Sequence, residues 1–107
     1  MDERRIFERF QVNLPVKFIA TGSPKEGQGR IINISAGGGG MIVTEEKLYP
    51  GTALQMWLSI PDNREPLEAR GEVVWTMVHA PDIYKIGIKF DKVDLMGISR
   101  VLRTLRR

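Results

Sequence analysis

Cysteine is absent from the 107-residue sequence, and His79 is the sole histidine. The first absence excludes disulfide scaffolds, thiolate metal sites and cysteine nucleophiles. The second leaves no imidazole cluster to complete a zinc site, so neither a metal nor any other cofactor is expected. No apolar run approaches the roughly 20 residues of a membrane-spanning helix. Met1-Asp2-Glu3-Arg4-Arg5 lacks the apolar stretch of a signal peptide. Membrane insertion is therefore not expected. The cytoplasm is the expected compartment, where a cysteine-free chain is at home. Charge of one sign is scarce too: 16 Lys and Arg against 13 Asp and Glu leave a net charge of +3. That excess is too small to argue for a nucleic acid polymer as partner.

Catalytic machinery is also missing. The glycine run Gly37-Gly38-Gly39-Gly40 is followed by Met41, whereas a Walker loop would continue with Lys-Ser or Lys-Thr. The carboxylates form no discernible paired site, and Ser35 has no base beside it to activate it as a nucleophile. The chain is not expected to be an enzyme.

What is present is alternation. With 42% hydrophobic and 27% charged residues, the composition is that of one ordinary globular domain. Val12, Leu14, Val16 and Phe18 alternate with polar residues and Pro15, the two-residue period of a half-buried strand. Proline donates no ladder bond, so this strand is expected at an edge or with a bulge. Short strands follow at 30–34 and 41–44. Leu54, Met56, Leu58 and Ile60 form the next apolar face, then Leu67, Ala69, Gly71, Val73, Trp75 and Met77, then Tyr84, Ile86, Ile88 and Phe90. Six strands joined by short loops leave no room for crossover helices. The expected fold is all-β, an antiparallel sheet closing into a barrel or sandwich.

After Phe90 the period lengthens. Leu95, Ile98, Leu102 and Leu105 recur at helical steps, Asp91 or Asp94 could cap the helix, and the late arginines suit the negative end of its dipole. An apolar stripe of this kind fits a helix laid across a barrel, and it also fits a membrane-surface or partner-binding helix.

Two polar segments stand out. Arg4-Arg5-Ile6-Phe7-Glu8-Arg9 gathers guanidinium groups whose planar forks pair with phosphates and stack on purines. By spacing alone it is weak evidence, since arginines near a terminus are usually a solvated tail. Asn33-Ile34-Ser35-Ala36-Gly37-Gly38-Gly39-Gly40 sets two polar side chains on one strand face ahead of the glycines. The run reads either as a flexible turn or as a loop whose amides approach a ligand.

Taken together, Arg4-Arg5-x-x-x-Arg9 and Asn33-x-Ser35-x-x-Gly38 resemble the paired signature of PilZ domains, receptors for the bacterial second messenger cyclic di-GMP. Gly51-Thr52-x-Leu54, Gly71-Glu72-Val73-Val74-Trp75 and Lys85-Ile86-Gly87-Ile88-Lys89-Phe90 extend the resemblance over the whole chain. It implies a single domain, 1–107, made of an N-terminal arm (1–10), a six-stranded antiparallel split barrel (11–90) and a C-terminal helix (91–107), with no fused output module. It further implies that Arg5 and Arg9 anchor the nucleotide and Arg4 assists. Asn33 and Ser35 would read guanine edges, and Gly38 would let the backbone come close. An arginine at position 4 implies a stacked pair of ligands. The arm would close on binding and present a surface to an unidentified protein partner. One departure is Asn33, where the family often carries Asp; an amide offers one acceptor oxygen and a donor in place of two acceptors. The alternatives are a PilZ-like interaction module that binds no nucleotide and a small barrel for single-stranded nucleic acid. The latter usually interleaves basic and aromatic residues, whereas Phe18, Trp75, Tyr84 and Phe90 here fall mostly on inward-looking parities.

Overall fold

A computed structural model describes residues 9–35, 37–91 and 95–104, apart from the side chains of residues 95, 96 and 98. Six strands, β1 (Arg9–Ala20), β2 (Glu26–Ser35), β3 (Gly39–Thr44), β4 (Ala53–Leu58), β5 (Leu67–Ala80) and β6 (Ile83–Phe90), precede one helix, α1 (Leu95–Thr104). All neighbouring strands are antiparallel and close into a barrel in the order β1-β2-β3-β6-β5-β4.

The alternating residues fill the barrel as expected. Val12, Leu14, Val16 and Phe18 are buried in β1, and Leu54, Met56, Leu58 and Ile60 in and just beyond β4. Ile31, Ile42, Val73, Ile86 and Ile88 complete the same core. Closure pairs β1 with β2 along its length and with β4 over Val16–Ala20, so Pro15 lies just beyond the end of the β4 ladder. Its carbonyl accepts from the Ser59 N–H at 2.9 Å, just past the last β1–β4 pair, Val16 with Leu58. Its missing N–H points to the same place and costs no ladder bond. A bulge does interrupt the β1–β2 register, between Gln11 and Leu14.

The expected run along β5 is interrupted as well. Val73 pairs with Ile88 but Trp75 pairs with Gly87, so Val74 is an extra residue and the side-chain parity reverses. Trp75 and Met77, expected on the inward face with Val73, are 37% and 55% exposed. The indole packs directly against Gly87, where even a methyl group would overlap it.

Strand β1 begins at Arg9, so the last two residues of the expected arm belong to the barrel. In α1, Val101 is the buried apolar residue and Leu102 is half-buried. Leu105 and the side chains of Leu95 and Ile98, which complete the expected stripe, lie outside the described residues, as does Asp94. Asp91 donates its N–H to the Arg70 carbonyl, three residues before Asp94 and four before α1 starts. Arg100, expected only to favour the helix dipole, instead ties α1 to the β4–β5 connection. Its Nε and Nη2 donate to the Asp62 carboxylate at 2.9 and 3.1 Å, and Nη2 also to the Glu65 carbonyl at 2.7 Å. The Arg100 hydrogen bond, opposed by desolvation and aided by the Arg64 N–H, holds the Asp62 carboxyl below its ordinary value.

Candidate functional site

The expected site begins with another change of register. Ile31 pairs with Ile42 of β3, whereas Asn33 pairs with Met41, so Ile32 is an extra residue in β2. Without it, Asn33 and Ser35 would continue the inward parity of Ile31. With it, Ile34 turns into the core and the two polar residues turn to the outer face. Their cross-strand partners fix that side: Asn33 stands opposite Gln11 and Ser35 opposite Arg9, both exposed residues of β1.

The two sequence motifs meet here. Arg9 Nη1 donates to Asn33 Oδ1 at 3.0 Å, bridging 24 residues of sequence. Asn33 Nδ2 points at Met41 Sδ at 3.9 Å, a weak acceptor. Although both face outward, Asn33 is only 7% and Ser35 only 4% exposed. Ser35 Oγ accepts from the Gly37 N–H at 3.0 Å and its carbonyl accepts from the Gly38 N–H, also at 3.0 Å. Gly38 has φ of 101°, a conformation that needs glycine. Its carbonyl accepts from the Phe90 N–H at 2.7 Å, which joins the turn to β6.

The glycine run is thus less free than a ligand loop of four glycines. Gly39 and Gly40 belong to β3, and the Phe90 ring packs onto Gly40. Only Gly37 and Gly38 form the described part of the turn. Arg4 and Arg5 lie outside the described residues.

The register brings in two residues that the motifs do not contain. Across the outer face, Gln11, Asn33, Met41, Gly87 and Trp75 form one lateral row. The Trp75 ring covers the glycine of that row and presents a flat aromatic surface beside Met41. In the adjacent row, Arg9 and Ser35 precede Gly39 and its β6 partner Lys89. Lys89 is exposed, about two strand spacings, or ~10 Å, from Ser35. Local sequence carries no sign of either neighbour, since both are set by pairing across β3 and β6.

The outer face therefore joins a guanidinium, an amide, a hydroxyl, an ammonium and an indole on one side of the barrel. Such a set can hold a flat, anionic, hydrogen-bonding ligand. Among the described residues, no group of three or more His, Cys, Asp or Glu could hold a metal ion. No helix described is long and apolar enough to cross a membrane.

Among solved structures, the fold is similar to that of the Bacillus subtilis inhibitor of motility, MotI/DgrA, with a TM-score of 0.71 at 19% identity over 96% of this chain and 49% of that one. The chain thus spans about half the length of the Bacillus protein. It is also similar to the PilZ domain of CeSA from a cellulose-synthesising bacterium, with a TM-score of 0.61 at 17% identity over 91% of this chain and 93% of that one. At these identities the likeness concerns the fold alone. No curated protein matches the sequence. The model of the PilZ domain matches residues 3–106. With that match over nearly its full length, the chain belongs to the PilZ domain family, binding and regulatory modules known as receptors for cyclic di-GMP.

Proposed function

We propose that this domain binds cyclic di-GMP on the outer face of its barrel and relays the event to a protein partner. The observation that carries the reading is the 3.0 Å bond from Arg9 to Asn33, which joins the two halves of the signature. The Arg9–Asn33 bond is ionised on the donor side only, whereas a bond from the same guanidinium to a ligand phosphate pairs two opposite charges and can be bidentate. An anionic ligand can therefore draw Arg9 off the amide oxygen. Release frees Asn33 Oδ1 to accept from a guanine N–H. Ser35 Oγ, which already accepts from Gly37, keeps its own proton to donate to guanine O6 or N7. Trp75 supplies a stacking face and Lys89 a further cation.

Arg5 is the second anchor in this reading. Arg4 adds a third guanidinium, which favours a stacked pair of ligands carrying four negative charges. Residues 1–8 close over the nucleotide and create the surface that the partner reads. The ligand leaves chemically unchanged, a reading supported by the lack, among the described residues, of any His, Cys, Asp and Glu group that could hold a metal ion. The cytoplasm is the compartment in which this exchange occurs.

A second reading, an interaction module that needs no nucleotide, is favoured by the exposed apolar residues of β5 and by the likeness to an inhibitor of motility. Calorimetric titration with cyclic di-GMP, with GTP and cyclic di-AMP as controls, separates the two. The proposal predicts saturable binding of cyclic di-GMP alone, near two ligands per chain. Absence of any binding heat, supported by unchanged melting with ligand, favours the second reading.

A further inference from the structure

The second half of β5 is a strand edge with no strand beside it. Pairing with β4 ends at Glu72 opposite Ala53, while pairing with β6 continues to Ala80. The connection before β4 bonds the backbone of β5 at the first step only, where Gly51 N–H donates to the Val73 carbonyl at 2.7 Å and Val73 N–H to the Thr52 carbonyl at 2.9 Å, and it meets Thr76 through the side chain, whose Oγ1 donates to the Leu48 carbonyl at 2.6 Å. Beyond it, the alternation of backbone groups, carried across the bulge at Val74, turns the amides and carbonyls of Thr76 and Val78 to the open side. Among the described residues, no backbone hydrogen bond from a loop reaches them there. The segment Val73-Val74-Trp75-Thr76-Met77-Val78 holds no charge and no proline, two of the devices that blunt such an edge, and register shifts at Val74 and between Val78 and Ala80 bound its regular part, Trp75–Val78. Val74, Met77 and Val78 are 45%, 55% and 70% exposed.

We propose that this edge pairs antiparallel with the same edge of a second copy of the chain, on a twofold axis through Met77. Free strand backbone selects another strand as its occupant, and an uncharged segment is the kind that can meet its own copy without like-charge apposition. The positions of the free groups set the register. Thr76 faces Val78 of the second copy and Val78 faces Thr76, so both pairs exchange hydrogen bonds and the contact closes as a dimer. The two Met77 side chains then meet at the axis, with Trp75 of each copy diagonal to the opposite methionine. Lys85, the β6 neighbour of Met77, lies about three strand spacings, ~14 Å, from its twin. That exceeds the Debye length of about 10 Å at 0.1 M salt, so its repulsion is screened. The edge leads to the β5–β6 turn, at the opposite end of the barrel from Gly38, so pairing leaves the Arg9–Asn33 face open.

The absence of native cysteine makes the test direct. In the full chain, Met77→Cys places two thiols across a non-hydrogen-bonded pair with Cα atoms about 4.5 Å apart, within disulfide range. Val74→Cys, on the same strand but three residues off the axis, places them about 20 Å apart. Mild oxidation is expected to yield linked dimer from Met77→Cys and little from Val74→Cys. Sedimentation should show concentration-dependent dimer for the parent and monomer for Met77→Glu, with unchanged circular dichroism. A parent that stays monomeric at every concentration overturns the proposal and leaves the edge to a strand of another protein. So does a Met77→Glu dimer, or equal cross-linking of the two cysteine variants.

Discussion

Of the register shifts in this barrel, the one at Ile32 in β2 and the one at Val74 in β5 can be compared directly. Each reverses the parity of its strand, so residues that simple alternation would send inward point out instead. At Ile32 the residues turned out are polar. They are then covered again, by a hydrogen bond from Arg9 and by the Met41 thioether, until Asn33 is 7% exposed. At Val74 the residues turned out are apolar, and Met77 stays 55% exposed. A covered polar pair held by a displaceable arginine suits a small charged ligand. An uncovered apolar strand with free backbone suits a macromolecular one. The same backbone device thus produces two surfaces of different chemistry on one small sheet.

The comparison breaks most severely on deletion of Ile32. Removal of the extra residue drives Asn33 and Ser35 toward the core at about 1–3 kcal/mol for each unsatisfied group and displaces Ile34, at about 2–5 kcal/mol for a core truncation of that size. Against a typical stability of about 5–15 kcal/mol, the deletion variant is expected to show no cooperative melt. A native-like melting curve would mean that the bulge does not set the polar face.

Next in size is Gly87→Val, which places a side chain where the Trp75 indole lies. Overpacking of this kind costs about 1–3 kcal/mol, and each kcal/mol lowers the melting temperature by roughly 4–8 °C in a domain near this size. In a Trp75→Ala background the same substitution should cost distinctly less. Equal costs in both backgrounds would separate Gly87 from the indole.

The smallest effect concerns neither bulge. Asp62 is held below its ordinary pKa chiefly by Arg100, so its contribution is complete above the ordinary carboxylate value. It disappears as the pH falls through the lowered folded-state value. Acid titration should therefore loosen α1, followed by hydrogen exchange at its amides, before either outer-face surface changes. Asp62→Asn should remove that pH dependence. Persistence of the same acid transition in Asp62→Asn would assign it to another group.

Most of the barrel was legible in the sequence because Leu54 to Ile60 and Tyr84 to Phe90 keep a strict two-residue period. The bulges were not. Ile31-Ile32 and Val73-Val74 interrupt alternation with adjacent apolar residues, but so does Ile42-Val43 in β3, where the register is unbroken. Adjacent apolar residues equally fit a strand buried on both sides, so the signal is present but ambiguous. Asn33 and Ser35 were recognisable as a pair, and Arg9 as a member of a motif. That Arg9 bonds Asn33, and that Lys89 and Trp75 share their face, depends on pairing between distant strands. The Arg100–Asp62 clasp, 38 residues apart, is equally invisible locally.

The central claim is that Arg9 and Asn33 form one ligand-binding unit, and Arg9→Ala tests it most directly. Arg9 is exposed and lies outside the core, so the variant should melt as the parent does. Calorimetric titration with cyclic di-GMP should show affinity reduced by about tenfold or more, a loss of at least roughly 1.4 kcal/mol. A folded Arg9→Ala protein that binds cyclic di-GMP as tightly as the parent would contradict the account.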